Sequence, residues 1–177
     1  MLFCTIIFNF CFSQNKLNDT IIVNNILNEQ YFNSNKLFKG KLEVKEYNEV
    51  RKLIENELNT NIPEGKDILI NYFQKAPNCL QINYDLGKTL EIIDNTISIS
   101  SKLCKQNNAI DFFIFTNDTP LNQLYRKNQD FKEDTGFFYN TIFTLHENCC
   151  GFFLLKSNGK FYKYYGSDYF TLLNKYL

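Results

Sequence analysis

Asp67-Ile68-Leu69-Ile70-Asn71-Tyr72-Phe73-Gln74-Lys75-Ala76-Pro77-Asn78-Cys79 decides how this chain is read. Asp67 to Phe73 is an apolar run without strict polar–apolar alternation. Such continuous runs are typical of strands in parallel sheets covered on both faces. Pro77 follows the run, and Cys79 comes two residues later. The stretch reads as a buried central strand that delivers one thiol to the edge of a sheet.

The segments on either side have helical spacing. Before it, Tyr47 to Leu58 places Val50, Leu53, Ile54 and Leu58 on one face, and Asn59 to Gly65, with Pro63, stops the helix. After it, Leu86, Leu90, Ile93, Ile97 and Cys104 fall on one stripe of a long helix ending at Asn107-Asn108. Cys104 lies on that stripe and reads as a small core residue. Ala109 to Thr116 is a second buried strand. Asn117-Asp118-Thr119-Pro120 then predicts a turn, with Thr119 capping a helix that carries Leu121, Leu124 and Tyr125. Gly136 to Leu145 is aromatic and β-prone, and its spacing selects no element.

The clearest motif is near the C-terminus. Gly151 to Lys156 and Phe161 to Tyr165 flank Ser157-Asn158-Gly159-Lys160, and Asn-Gly supplies the positive φ angles of a hairpin turn. Gly166 ends the second strand. Ser167 reads as the cap of a last helix with Tyr169, Leu172, Leu173 and Tyr176 on one face. Upstream, Leu42 to Lys45 alternates like a short edge strand, and Asp19 could cap a short helix in the polar, Asn-rich region before Gly40. The order helix, strand, helix, strand, helix, hairpin, helix predicts an α/β fold: a mixed sheet with helices on both faces.

A chain of 177 residues is long enough for one domain with its own core. Its 18 Phe and 11 Tyr, with no Trp, read as packing in strands and core. Acids and bases balance at 19 each without a long run of either. Nothing offers the basic face that nucleic acid requires or the charge that holds a protein on an anionic membrane. Met1 to Ser13 is an apolar block too short to span a bilayer, and Cys11-Phe12-Ser13 puts small residues where a signal peptidase reads. It reads as a secretory signal, residues 1–13, which predicts an exported protein, periplasmic or extracellular, with no membrane attachment after cleavage. A buried strand or an uncleaved anchor is the other reading of the block. Removal of the block takes Cys4 and Cys11 with it and leaves Cys79, Cys104, Cys149 and Cys150. Four thiols in an exported chain allow three pairings. With no C-x-x-C and a single His, His146, no metal site is predicted, and no cofactor is implied.

The element order from Tyr47 to Leu177 resembles the thioredoxin fold. Gly65 to Phe73 is similar to the strand that precedes the active site in exported thioredoxin-like thiol–disulfide oxidoreductases, and Gly151 to Leu177 to their final strand, turn, strand and helix. The resemblance implies a three-layer α/β/α domain over 47–177, with 14–46 as an N-terminal extension. It also implies a C-x-x-C at the start of the following helix, where one thiol attacks a disulfide and the second resolves it. Here the segment reads Ala76-Pro77-Asn78-Cys79. Ala76 stands at the attacking position if Cys79 matches the second Cys. The family also places a cis-proline facing those sulfurs, just before the strand that begins near Phe152. Counting back from Asn158-Gly159 puts Cys150 there, with Cys149 beside it.

The resemblance thus implies that Cys79 pairs with Cys150, or with Cys149, in a bridge across the former active site. A bridge closing so long a loop contributes about 2–5 kcal/mol. Two other readings stand beside it: four free thiols buried as packing residues, and a redox-active pair in a new arrangement. Other constellations are weaker. His146 and Cys149 are too close in sequence to face each other usefully as a nucleophile pair. Glu133-Asp134 reads as a solvated helix end. The aromatic strand Phe161 to Tyr165 could face a protein partner if it is an edge, but packing under the last helix is the favoured reading. The functional expectation is an exported thioredoxin-like domain without dithiol catalysis, a binding or structural module. The alternative is a thiol–disulfide redox protein using Cys79 with Cys149 or Cys150.

Overall fold

The structure is a computed structural model that describes residues 28–80, 84–167 and 169–177. The signal block, its cleavage after Ser13 and the Asp19 cap lie outside the described residues. The elements are α1 (Glu29–Ser34), β1 (Lys36–Lys41), α2 (Val44–Leu58), β2 (Asp67–Phe73), α3 (Leu86–Gln106), β3 (Ala109–Phe115), α4 (Asn122–Tyr125), β4 (Phe131–Glu133), α5 (Phe137–Thr141), β5 (Cys150–Leu155), β6 (Lys160–Tyr165) and α6 (Phe170–Tyr176). Six strands form one mixed sheet in the order β1-β6-β5-β2-β3-β4. β2 pairs parallel with β3 and antiparallel with β5, and β3 pairs parallel with β4.

β2 is the centre, and all seven of its residues are buried. Successive side chains on a strand point to opposite faces, so a strand covered on both sides divides its residues between two cores. Ile68, Ile70 and Tyr72 pack with Ile54 and Leu58 of α2 and Phe138 of α5. Leu69 packs with Cys104 of α3 and Leu173 of α6, and Phe73 joins a third cluster with Ile93 of α3 and Tyr125 of α4. Helices therefore cover both faces in a three-layer α/β/α arrangement. Each fully buried Ile or Leu contributes about 1.5–3 kcal/mol, which makes β2 the strand with most to lose from a polar substitution. Its one polar interior residue, Asn71, is satisfied from three directions. Its Nδ2 donates to Ser100 Oγ at 3.0 Å and Phe112 O at 3.3 Å, and Tyr169 OH donates to its Oδ1 at 2.9 Å. This network ties the central strand to α3 and, through Tyr169, to the start of α6.

Several local expectations are corrected. Leu42 to Lys45 is not a strand: α2 begins at Val44, and the Glu46 carboxylate accepts from the Glu43 N–H at 2.9 Å, one half of a capping box. The edge strand is β1 instead, held to β6 over six residue pairs. Residues 28–46 thus include a strand of the sheet. Leu53 of α2 is 51% exposed, and Leu86 of α3 is 63% exposed. Both sit on predicted apolar faces; Leu86 stands at the start of α3, which at 21 residues outruns the seven-residue strands beneath it. The helix predicted after Pro120 is the single turn α4. Gly136 to Leu145 contains α5, because Asp134 gathers the backbone N–H groups of Gly136, Phe138 and Tyr139 at 3.0, 3.1 and 2.8 Å. In the hairpin only Gly159 has positive φ, at 82°. Gly159 N–H donates to Lys156 O and Lys156 N–H to Lys160 O, so the turn carries a glycine bulge rather than two residues of positive φ. Ser167 does not cap α6, since its Oγ lies 2.5 Å from Tyr31 OH.

Candidate functional site

The C-terminal end of β2 meets the start of β5. The antiparallel register sets Phe73 opposite Cys150, which brings the residues just past each strand end together. Gln74 N–H donates to Cys149 O at 2.8 Å, and Asn78 N–H donates to Glu147 O at 3.1 Å. Between them, Ala76 to Cys79 makes a tight turn in which Cys79 N–H donates to Ala76 O at 3.4 Å and Ala76 N–H points at Cys79 Sγ at 3.3 Å. Cys79 and Cys149 are disulfide-bonded, with Cα atoms 4.9 Å apart across 70 residues of chain. That separation lies inside the range a disulfide spans. Cys79 is buried and Cys149 is partly exposed.

The bridge takes Cys149, not Cys150. The reason is the period of a strand. Neighbouring residues face opposite sides, and Cys150 turns toward Phe73 and Tyr125 on the α3 face. Counting residues back from the hairpin cannot choose between neighbours, because their facing is set by pairing with β2. Cys150 and Cys104 are free thiols. Burial pushes both up to about 12. A thiol with that value is almost wholly protonated at neutral pH and is a poor nucleophile.

Reasoning from sequence missed the side chains that hold the bridge in place. Gln74 is 1% exposed, and its Nε2 donates to Leu145 O at 3.1 Å and Asn148 O at 2.8 Å. Asn148, equally buried, donates through Nδ2 to Ser34 Oγ at 2.8 Å and Asn35 Oδ1 at 3.2 Å, and Cys150 N–H donates to its Oδ1 at 3.3 Å. Lys36 and Glu147 form an exposed ion pair at 2.8 Å. The loop before β5 is thus clamped on one side to the end of β2 and on the other to the junction of α1 and β1. The signal for Gln74 is visible: it is the polar residue that closes an apolar run. Nothing local marks Asn148, whose side-chain amide donates to Ser34 and Asn35, more than a hundred residues away.

The remaining candidates have structural occupations. His146 stacks on Tyr139 with ring centres 3.6 Å apart, and its Nε2 lies 3.3 Å from Tyr139 O. Asp134 caps α5 and accepts from Tyr72 OH at 3.0 Å. Burial, reinforced by that carboxylate, raises the Tyr72 phenol far above its ordinary value. Glu133 pairs with Arg126 at 2.8 Å. β6 is an inner strand, with β1 covering its free side and Tyr162 stacked on Tyr176 of α6. Among the described residues, no helix is long and apolar enough to cross a membrane. Compared with known proteins, the chain matches no family model, no curated protein and no solved structure.

Proposed function

We propose that this chain is an exported thioredoxin-like domain without dithiol catalysis, acting as a binding or structural module. The observation that carries this is the bridge itself. At the strand end where the resemblance places an attacking and a resolving thiol, Ala76 occupies the first position and Cys79 is held by Cys149. The strand order β6-β5-β2-β3, with β2 and β3 parallel and joined through α3, supports the family reading. A long-range intramolecular disulfide supports export, since such bonds persist in oxidising compartments.

A second reading rests on the partial exposure of Cys149 at the end of the sheet where β5 starts. There the Cys79–Cys149 pair exchanges with a thiol partner. Hydrogen bonds that hold both cysteine loops in register favour the oxidised form and weigh against it. Intact mass after denaturing alkylation decides between the two. For the chain lacking residues 1–13, we expect two alkylated thiols without reductant and four after strong reduction. Retention of the bridge in glutathione supports the structural role. Ready reduction by glutathione supports the redox role, and four free thiols at the outset remove both.

A further inference from the structure

β1 is an edge strand among the described residues, and its six residues Lys36–Lys41 are nearly all exposed. Its inner side is fixed by the antiparallel register with β6 and by Leu42 N–H donating to Gly159 O at 2.9 Å. Gly40 lets β1 lie close, since the Phe161 ring fills the space a Cβ would take. In an antiparallel pair about half the residues turn their N–H and C=O groups away from the partner. β1 therefore presents a row of backbone donors and acceptors, with no Pro to interrupt it.

The side chains select what can pair there. Leu37, Lys39 and Lys41 share one face of the strand, and Lys36, Phe38 and Gly40 the other. Leu37 is 39% exposed and Phe38 42%. Lys36 is paired with Glu147, whereas Lys39 and Lys41 take part in no ion pair among the described residues. Lysines at an edge discourage like strands: a second copy of β1 would set ammonium against ammonium. The same row attracts the opposite charge. An added strand places its side chains about 5 Å from those of β1 on the same face, so acids at alternate positions would meet Lys39 and Lys41.

We propose that the outer edge of β1, open among the described residues, takes, by strand addition, an extended acidic segment of a partner protein. In this segment Asp or Glu at alternate positions lies on the face of Lys39 and Lys41, and the apolar residues between them lie on the face of Phe38. The backbone supplies the affinity and the alternating charge supplies the choice. The inference deepens the binding-module reading and rests on it. Its failure is separable, because the thiol count that tests the bridge does not involve β1.

The test is fluorescence anisotropy of the full chain with short labelled peptides of alternating Glu and Val, at low and high salt. Binding is expected for the Glu–Val peptide and roughly tenfold weaker binding for a Lys–Val peptide. Loss is expected when alternate Glu–Val amides are N-methylated, which removes strand pairing and keeps the charge. Lys39→Glu with Lys41→Glu, both exposed substitutions, is expected to reverse the preference. Absence of Glu–Val binding overturns the proposal, as does equal binding of the N-methylated peptide or an unchanged preference in the variant.

Discussion

Removing the Cys79–Cys149 bridge tests the central reading. The perturbation is the double substitution Cys79→Ala and Cys149→Ala. The bridge closes a loop of 70 residues. The loop-entropy relation then gives about 4.4 kcal/mol at 25 °C. Cys79 is almost wholly buried, so loss of its sulfur adds a small cavity cost. The native arrangement should survive, because the two loops keep their own hydrogen bonds: Gln74 to Cys149, Asn78 to Glu147, and the Gln74 amide to Leu145 and Asn148. The expected outcome is a native circular-dichroism spectrum and a loss of about 3–5 kcal/mol in urea unfolding. For a chain of this size that is a fall in Tm of roughly 6–20 °C. Reduced wild type should lose a similar amount, which separates the cross-link from the cavity. A loss below about 1 kcal/mol would refute the reasoning, since the cross-link would then restrict nothing in the unfolded chain. Loss of the native spectrum would show that the hydrogen bonds do not hold the loops by themselves.

Asn71→Leu leaves Ser100 Oγ and Tyr169 OH without their partner in the core, and should cost about 2–4 kcal/mol in urea unfolding. Cys104 and Cys150 have folded-state values raised from 9.0 to about 12. The folded state therefore keeps protons that the unfolded state gives up. Stability is full below pH 9 and declines as pH rises from there toward 12; urea midpoints should show about 1–2 kcal/mol lost between pH 7.5 and pH 9.5. Gly159→Ala puts a Cβ at φ 82° and within 2.6 Å of the Leu42 carbonyl oxygen. It should lower stability by about 1–3 kcal/mol in thermal melts.

What the chain declares by itself is local. Asp67 to Phe73, with no alternation, specifies a strand covered on both faces, and β2 has those bounds. Gly159, free to take positive φ, marks the last hairpin, and the 3.6-residue stripe ending at Cys104 specifies α3. Elements whose form depends on distant partners were not readable in this way. β1 exists because β6 offers it a ladder. α5 exists because Asp134 satisfies its first N–H groups against an aromatic segment that favours strands. The bridge divides the same way. The sequence marks Cys79 as the thiol at the end of the central strand. Its partner could be Cys149 or Cys150 until the register of β5 on β2 turned Cys150 toward Phe73 and left Cys149 facing Cys79. A one-residue step on a strand reverses the direction of a side chain, and only pairing with a neighbouring strand determines which residue faces which way.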